Sequence, residues 1–130
     1  MASITATVTA LTPEDTKWVS GGFASTHSAL TDSPRIRSLG NCVEIFVSKK
    51  LTAPIASGAT LLKLSQASMN RIAGVVFPVW GTLLRYTGDT DTAPDIRRVQ
   101  LLADGTLVNN GGLACSAGHS VIIELKAIGG

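Results

Sequence analysis

Side chains that could do acid–base or nucleophilic chemistry are few in this sequence. Its two histidines are His27, in a Ser/Thr-rich stretch, and His119, in the Gly-containing run 116–119. Ser120 follows His119, but nucleophilic catalysis needs a nucleophile, a base and an orienting group that meet in space. The Gly-x-Ser-x-Gly motif of a nucleophile elbow is absent from the sequence. We therefore expect both histidines to be turn residues, and no Ser–His enzyme is predicted.

Paired carboxylates could instead hydrolyse a glycoside, with one acting as acid and the other as base or nucleophile. Glu44 and Glu124 are the glutamates that lie in the middle of alternating segments, and each has apolar residues on both sides. That alternation indicates a face on which these carboxylates are either solvated or paired with charges across strands. We predict no enzymatic activity from them.

An acidic loop raises the question of calcium, because Asp89, Asp91 and Asp95 supply hard oxygen ligands within a few residues. An EF-hand loop needs glycine at its sixth position and glutamate at its twelfth. Counted from Asp89, those positions hold Pro94 and Gln100. The loop is not of that class, so we predict neither a metal site nor a cofactor.

Aromatic residues are the remaining candidates for binding, since an exposed ring offers an apolar platform beside polar groups. Phe77 and Trp80 lie in a long apolar run, which favours a place in the core or in an interface. The six aromatic residues are Trp18, Phe23, Phe46, Phe77, Trp80 and Tyr86.

Two of these aromatics, Trp18 and Tyr86, lie near predicted loops and could serve as sugar platforms. Arg85 stands beside Tyr86, and the acidic residues Asp89 and Asp91 follow directly. We predict that the ligand-binding residues are these five, and that the hairpin end at 85–95 is the binding tip.

Composition limits the class of protein. The chain has 130 residues, a net charge of +2, 45% hydrophobic residues and only 15% charged ones, against about 25% charged in an average domain. The basic pairs at 49–50 and 97–98 are too small for a nucleic-acid footprint, and the apolar content excludes disorder. So few charged side chains cannot cover the surface of a monomer of this size. We therefore predict a homo-oligomer, in which apolar surface is buried between copies of the chain.

Neither a secretory signal nor a membrane span is predicted. The N-terminus lacks a basic and an apolar region, and the longest apolar run, Ile72–Leu84, is shorter than the ~20 residues that a spanning helix needs. The two cysteines, Cys42 and Cys115, have no metal-site spacing. They read as reduced, buried thiols, and they could pair only if the fold brought their Cα atoms within about 7 Å.

Period-two alternation, broken by Gly, Pro, Asn and Asp, predicts β-strands throughout the chain. Residues 21–41 are irregular and are predicted to be a long loop or an arm, and Asp104–Gly105 predicts a tight hairpin. Asn70–Trp80 is apolar on both faces, which is typical of a central buried strand. The predicted strands are Ile4–Ala10, Thr16–Ser20, Cys42–Leu51, Ala59–Leu64, Asn70–Trp80, Thr82–Thr87, Ile96–Leu102, Thr106–Asn109 and Val121–Ile128.

The spacing of these strands predicts an all-β fold, an antiparallel, jelly-roll-like β-sandwich of about eight strands with a looser N-terminal arm. We divide the chain into an N-terminal strand and loop segment, residues 1–39, and a β-sandwich domain, residues 40–130.

Residues 40–128 resemble the β-sandwich head domain of phage tail fibres and baseplate receptor-binding proteins. The shared order is a strand at 40–51, an Ile-x-x-Gly turn at 55–58, a strand, an apolar strand with Pro78, a hairpin around Asp104–Gly105 and a final apolar strand. The sequence departs from the family at 64–66, where the family has Leu-Pro, and it lacks the family's terminal aromatic residue.

The resemblance implies a non-enzymatic virion structural protein, made in the host cytoplasm, whose head forms a homotrimer and meets a host-surface saccharide near its distal loops. Residues 1–39 would join the head to other virion proteins. The family offers no transferable binding motif, so no site residue is carried over. Two alternatives stay open: a capsid decoration or head-fibre protein without a receptor, and a bacterial carbohydrate-binding module.

Overall fold

The computed structural model describes residues 18–88, 93–111 and 113–129. This part of the chain forms eight β-strands, one short α-helix and one 3₁₀ turn at Ser28–Leu30. The all-β prediction is confirmed. The elements are β1 Phe23–Thr26, β2 Arg35–Leu39, β3 Cys42–Lys50, β4 Thr60–Leu64, α1 Gln66–Arg71, β5 Val79–Tyr86, β6 Asp95–Leu101, β7 Thr106–Val108 and β8 Ser120–Ile128.

The strands pair antiparallel in one sheet, in the order β1-β4-β7-β6-β5-β8-β3-β2. β1 and β2 are the two edges, yet only residues 27–34 join them. The two edges of a flat eight-stranded sheet would lie about 34 Å apart. The connection could span that distance only if it were almost fully extended, but it contains a 3₁₀ turn and is therefore shorter. The sheet therefore curls, and Val19 closes it further by pairing with Ile36 at the β2 edge.

The curled sheet encloses one core, built from the alternate residues that point inward. On β3 these are Val43, Ile45 and Val47, and none is more than 1% exposed. Inward residues of β8 meet them from the next strand, and leucines of β4, β6 and β7 come from the opposite half. Burial of each such side chain stabilises the fold by roughly 1.5–3 kcal/mol. The predicted alternation of β3 and β8 is confirmed by their burial patterns.

The prediction of a central strand at Asn70–Trp80 is wrong. α1 ends at Arg71, a loop follows, and β5 begins only at Val79. The helix starts because the Ser65 hydroxyl accepts a hydrogen bond from the backbone N–H of Ser68, which caps its first turn. Within the apolar run, Ile72 is buried but Val76 is 85% exposed. Periodicity alone cannot distinguish a buried strand from a helix in such an apolar run. Here the cap at Ser65 favours a helix at its start.

The predicted long loop at 21–41 is also wrong, because this segment contains β1, the 3₁₀ turn and β2. β1 pairs with β4 and β2 with β3, so both strands depend on partners elsewhere in the chain. The turn between them buries Ala29 and Leu30 in the core. The predicted strand Ile4–Ala10 and residues 16–17 of the next lie outside the described residues, and the attachment role of 1–39 stays a prediction.

The predicted hairpin at Asp104–Gly105 is confirmed, since these residues turn the chain between β6 and β7. Gly105 has a φ of 90°, a conformation that favours glycine. The Asp104 carboxylate accepts a hydrogen bond from the backbone N–H of Thr106 at 3.0 Å. Hydrogen bonding from Thr106 lowers the pKa of Asp104, because it stabilises the ionised form.

The two thiols are both free. The prediction that both are buried is wrong for Cys42, which is partly exposed because it starts β3 on the side of the sheet away from the core. Cys115 is 1% exposed and pairs with Ile55 through backbone hydrogen bonds. Burial raises the pKa of the Cys115 thiol, which makes the reactive thiolate scarcer.

We expect one thiol per chain to react with iodoacetamide in the folded protein. Cys42 should be alkylated, whereas Cys115 should react only after denaturation, because its sulfur is both covered and protonated. Mass spectrometry of the labelled chain checks this, with Cys42→Ser as the control that should leave the native protein unlabelled. Equal labelling of both cysteines in the folded state would contradict the placement of Cys115.

Gly81 lets β5 approach β8 closely. A Cβ at this position would stand 2.5 Å from the Glu124 carbonyl oxygen and 2.8 Å from Leu125 Cβ. We expect Gly81→Ala to destabilise the protein by about 1–3 kcal/mol, measured by denaturant unfolding. Gly21→Ala is the matched control, since nothing lies within 4 Å of its added methyl; equal stability of the two variants would refute the close approach.

Candidate functional site

The solvent-facing side of β2, β3, β8, β5 and β6 carries the candidate site, and we call it the outer face. Its side chains stand directly opposite one another across neighbouring strands. Phe46 on β3 faces Glu124 on β8, Glu124 faces Thr82 on β5, and Thr82 faces Arg98 on β6. One row of aromatic, acidic, hydroxyl and basic groups therefore crosses the sheet.

A groove of about 440 Å³ lies on this face, across β3, β8 and β5. Its walls are indole rings and its floor is mostly polar, so we call it the tryptophan groove. The side chains that line it on the outer face are Trp18, Glu44, Phe46, Trp80, Thr82, Glu124 and Lys126.

Trp18 forms one wall and is held by two neighbours. The Arg37 guanidinium stacks on its ring at 4.8 Å, and the Phe46 ring lies 5.9 Å away in a tilted arrangement. Arg37 is fixed in turn by Glu44, whose carboxylate accepts its hydrogen bond at 2.8 Å. The indole is still 40% exposed, so the wall is ordered but open on one side.

Trp80 forms the opposite wall. The Arg98 guanidinium stacks on its ring at 5.4 Å, and the side chain is 49% exposed. Sequence reasoning placed Trp80 with Phe77 in the core or an interface; Phe77 does pack against the core, whereas Trp80 lies outside it. Both walls thus share one construction, an indole backed by an arginine.

The floor between the walls carries opposite charges on two strands. Glu44 pairs with Arg37 directly across β2 and β3, which confirms the cross-strand pairing expected of this glutamate. Lys126 stands opposite Glu44 on β8. Glu124 is exposed and, within the described part of the chain, forms no ion pair. Its carboxylate is therefore the floor acceptor that is open to a ligand.

Three of the five residues predicted from the sequence, Trp18, Arg85 and Tyr86, are described in the structure, and they do not form one site. Arg85 is held by Asp95 at 2.7 Å and donates a hydrogen bond to the Ala114 carbonyl at 2.6 Å. Tyr86 ends β5 six residues after Trp80, about 20 Å along the strand, so Trp18 and Tyr86 are apart. Asp89 and Asp91 lie outside the described residues. Of the three predicted residues that the structure describes, Trp18 lines the groove and the other two do not.

Both histidines cap turns. His27 accepts a hydrogen bond from the backbone N–H of Ala29 through Nδ1, and His119 accepts one from Ser116 in the same way. In the described ranges, no three His, Cys, Asp or Glu side chains come together in a way that could hold a metal. No described helix is both long enough and apolar enough to span a membrane.

Sequence reasoning missed Trp80 and Glu124 as partners in one site. The pattern that could have found them is the alternation of β5, in which Trp80 and Thr82 take one side while Leu83 takes the core side. The predicted strand at 70–80 hid this alternation, because it assigned Trp80 to the end of a different element. The pairing of β5 with β8 is a long-range contact that no local pattern specifies.

No protein-family model and no curated protein matches the chain. Among solved structures it is similar to the head domain of the lactococcal phage bIL170, a structure described with the receptor binding domains of lactococcal phages. The TM-score is 0.53 over 88% of this chain and 98% of that one, at 12% sequence identity. The two share a fold. The fold that the sequence resemblance implied, that of a phage receptor-binding head domain, is therefore confirmed.

The order of the Trp18 wall should depend on Arg37. We expect Arg37→Gln to raise acrylamide quenching of Trp18, measured in a Trp80→Phe background so that Trp18 is the only indole, because stacking and the bond to Glu44 are both lost. Stability should fall by less than about 1 kcal/mol, since the pair is half-exposed. Arg98→Gln is the control and should leave Trp18 quenching unchanged; a similar effect of both variants would mean that Arg37 does not hold Trp18.

Proposed function

We propose that this chain is the receptor-binding head of a phage virion structural protein, that it is not an enzyme, and that it holds a host-surface saccharide in the tryptophan groove. The observation that carries the proposal is an aromatic-walled, polar-floored groove on a fold shared with a phage head domain. Fold alone does not assign a function, so the proposal that the chain binds a saccharide depends on the side chains of the groove.

The groove has the chemistry of a binding site rather than a catalytic one. Ligand sites combine aromatic or apolar walls with a few placed polar groups, and an indole offers a flat apolar surface against which the C–H groups of a sugar ring can pack. Glu44, the other carboxylate that the described residues place on the floor, is engaged by Arg37. That pairing supports a positioning role for Glu44 and leaves hydroxyl recognition to Glu124, Thr82 and Lys126.

The same face supports a homo-oligomer, for which we propose a trimer. Ile122, Leu84 and Ile96 stand directly opposite one another on β8, β5 and β6, and Ile96 is 61% exposed. This aliphatic strip is one row away from the groove, about 7 Å along the strands. A contact between copies through the strip would cover apolar surface and leave the groove at its margin, where a receptor can enter.

Glycan-array binding tests the receptor proposal. We expect the purified protein to bind at least one saccharide of bacterial surfaces, and the bound saccharide to change intrinsic tryptophan fluorescence, because both tryptophans of the chain line the groove. If the folded protein binds no saccharide, the receptor-binding role is refuted and the alternative of a capsid decoration protein is favoured.

The native mass tests the oligomer. We expect a trimer by light scattering, and we expect Ile96→Glu to shift it toward the monomer, because a charge in the strip would be buried without a partner. Ile128→Glu is the matched control: Ile128 is 56% exposed on the far end of the same face and should leave the trimer intact. A wild-type monomer at micromolar concentration would refute the proposed assembly.

A further inference from the structure

We infer that the tryptophan groove takes two consecutive rings of an uncharged saccharide, one ring on each indole, with Glu124 accepting the hydroxyls between them. This inference rests on the proposed function, and it specifies the length and charge of the ligand. It also assigns Glu124 as the residue that determines specificity.

Each indole offers one face to a ligand. The Arg37 guanidinium covers part of the Trp18 ring and the Arg98 guanidinium covers part of the Trp80 ring. Both rings remain 40–49% exposed and both line the groove. A stacked guanidinium also limits rotation of the ring it covers, so each platform is ordered before a ligand arrives, which lowers the entropy lost on binding.

The spacing of the walls sets the length of the ligand. Trp18 lies against Phe46 on β3, whereas Trp80 lies on β5, and β8 runs between these strands. Two strand intervals correspond to about 10 Å. This spacing of the β3 and β5 backbones suits two linked rings better than one pyranose ring, with the glycosidic linkage over β8.

The polar groups in the middle of the groove can hydrogen-bond the hydroxyls on either side of the glycosidic linkage. Glu124 stands on β8 between Phe46 and Thr82. An ionised carboxylate accepts hydrogen bonds on both oxygens and donates none, and hydrogen bonds to a charged group are roughly twice as strong as neutral ones. Glu124 therefore suits adjacent sugar hydroxyls, and the Thr82 hydroxyl beside it can either donate or accept.

The charges of the floor favour an uncharged ligand. Among the described residues, the lining holds two carboxylates, Glu44 and Glu124, and one ammonium, that of Lys126. The Arg98 guanidinium stacks on the Trp80 wall, so charges of both signs border the groove and nearly balance. Arg37 is committed to Glu44 and to the Trp18 ring. A sugar carboxylate or phosphate placed over β8 would face Glu124 directly, and like charges that close repel.

The test uses the saccharide that binds best in the glycan array, its one-, two- and three-ring fragments, and an analogue in which a primary hydroxyl is oxidised to a carboxylate. Calorimetry gives the affinities. We expect the two-ring fragment to bind at least about tenfold more tightly than one ring and a third ring to add less than about threefold, because the groove has two indole walls. The oxidised analogue should bind at least about tenfold more weakly.

Three variants locate the ligand. Trp18→Ala and Trp80→Ala should each weaken the two-ring fragment by about 3- to 10-fold, and Glu124→Gln should weaken it by about tenfold. Glu124→Gln should also narrow the gap between the neutral fragment and its oxidised analogue, which a merely structural role would not do. Tyr86→Ala, an aromatic change at the other end of β5, is the control and should leave binding unchanged.

The outcomes separate this inference from the proposed function. If a saccharide binds but the tryptophan variants bind it as the wild type does, the groove is not the site, while the receptor role stands. Tightest binding of a single ring, or preference for anionic saccharides, would overturn the length or charge assigned here. Binding of no saccharide at all would overturn both.

Discussion

The close pairing of β5 with β8 is the contact on which the rest of the structure depends. Because Gly81 has no side chain, β5 can lie against Leu125 and the Glu124 carbonyl without a clash. This pairing joins the half of the sheet that ends in β2 to the half that ends in β1. The same pairing fixes the distance between Trp80 and the β3 residues across β8, so one backbone approach determines both the continuity of the sheet and the width of the groove.

Along the central strands, buried and exposed residues alternate strictly, so one face of the sheet forms the core and the other forms the groove. Along β8, Val121, Ile123 and Leu125 are buried, while Glu124 and Lys126 between them are exposed. A strand slip of one residue would exchange these sets and place two charges in the core. The burial of the inner residues thus holds the outer residues of β8 in register with their neighbours on β3 and β5, which positions the floor of the groove.

Prediction from the sequence succeeded where the determining forces are local. Val43, Ile45 and Val47 alternate within one strand, and Asp104–Gly105 carries its own turn conformation. It failed where a partner far along the chain decides the conformation. β1 and β2 have no apolar pattern strong enough to be recognised alone, and they become strands because β4 and β3 supply hydrogen bonds. The prediction of the binding site failed for the same reason. The walls of the groove come from residues 18 and 80, which are far apart in the sequence and reach one face only because the sheet curls.

A shared fold at 12% identity is understandable in these terms. In this chain the sheet depends on apolar residues at the inner positions and on the close approach at Gly81, whereas the outer positions contribute less to the core. Trp18, Trp80 and Glu124 contribute little to the enclosed core, so another sequence can keep the sheet while replacing all three. The outer side chains of such a fold can therefore change without loss of stability, and fold alone does not assign their function. The chemistry of this surface must be inferred from this chain's own outer face, where two arginine-backed indoles border an open carboxylate.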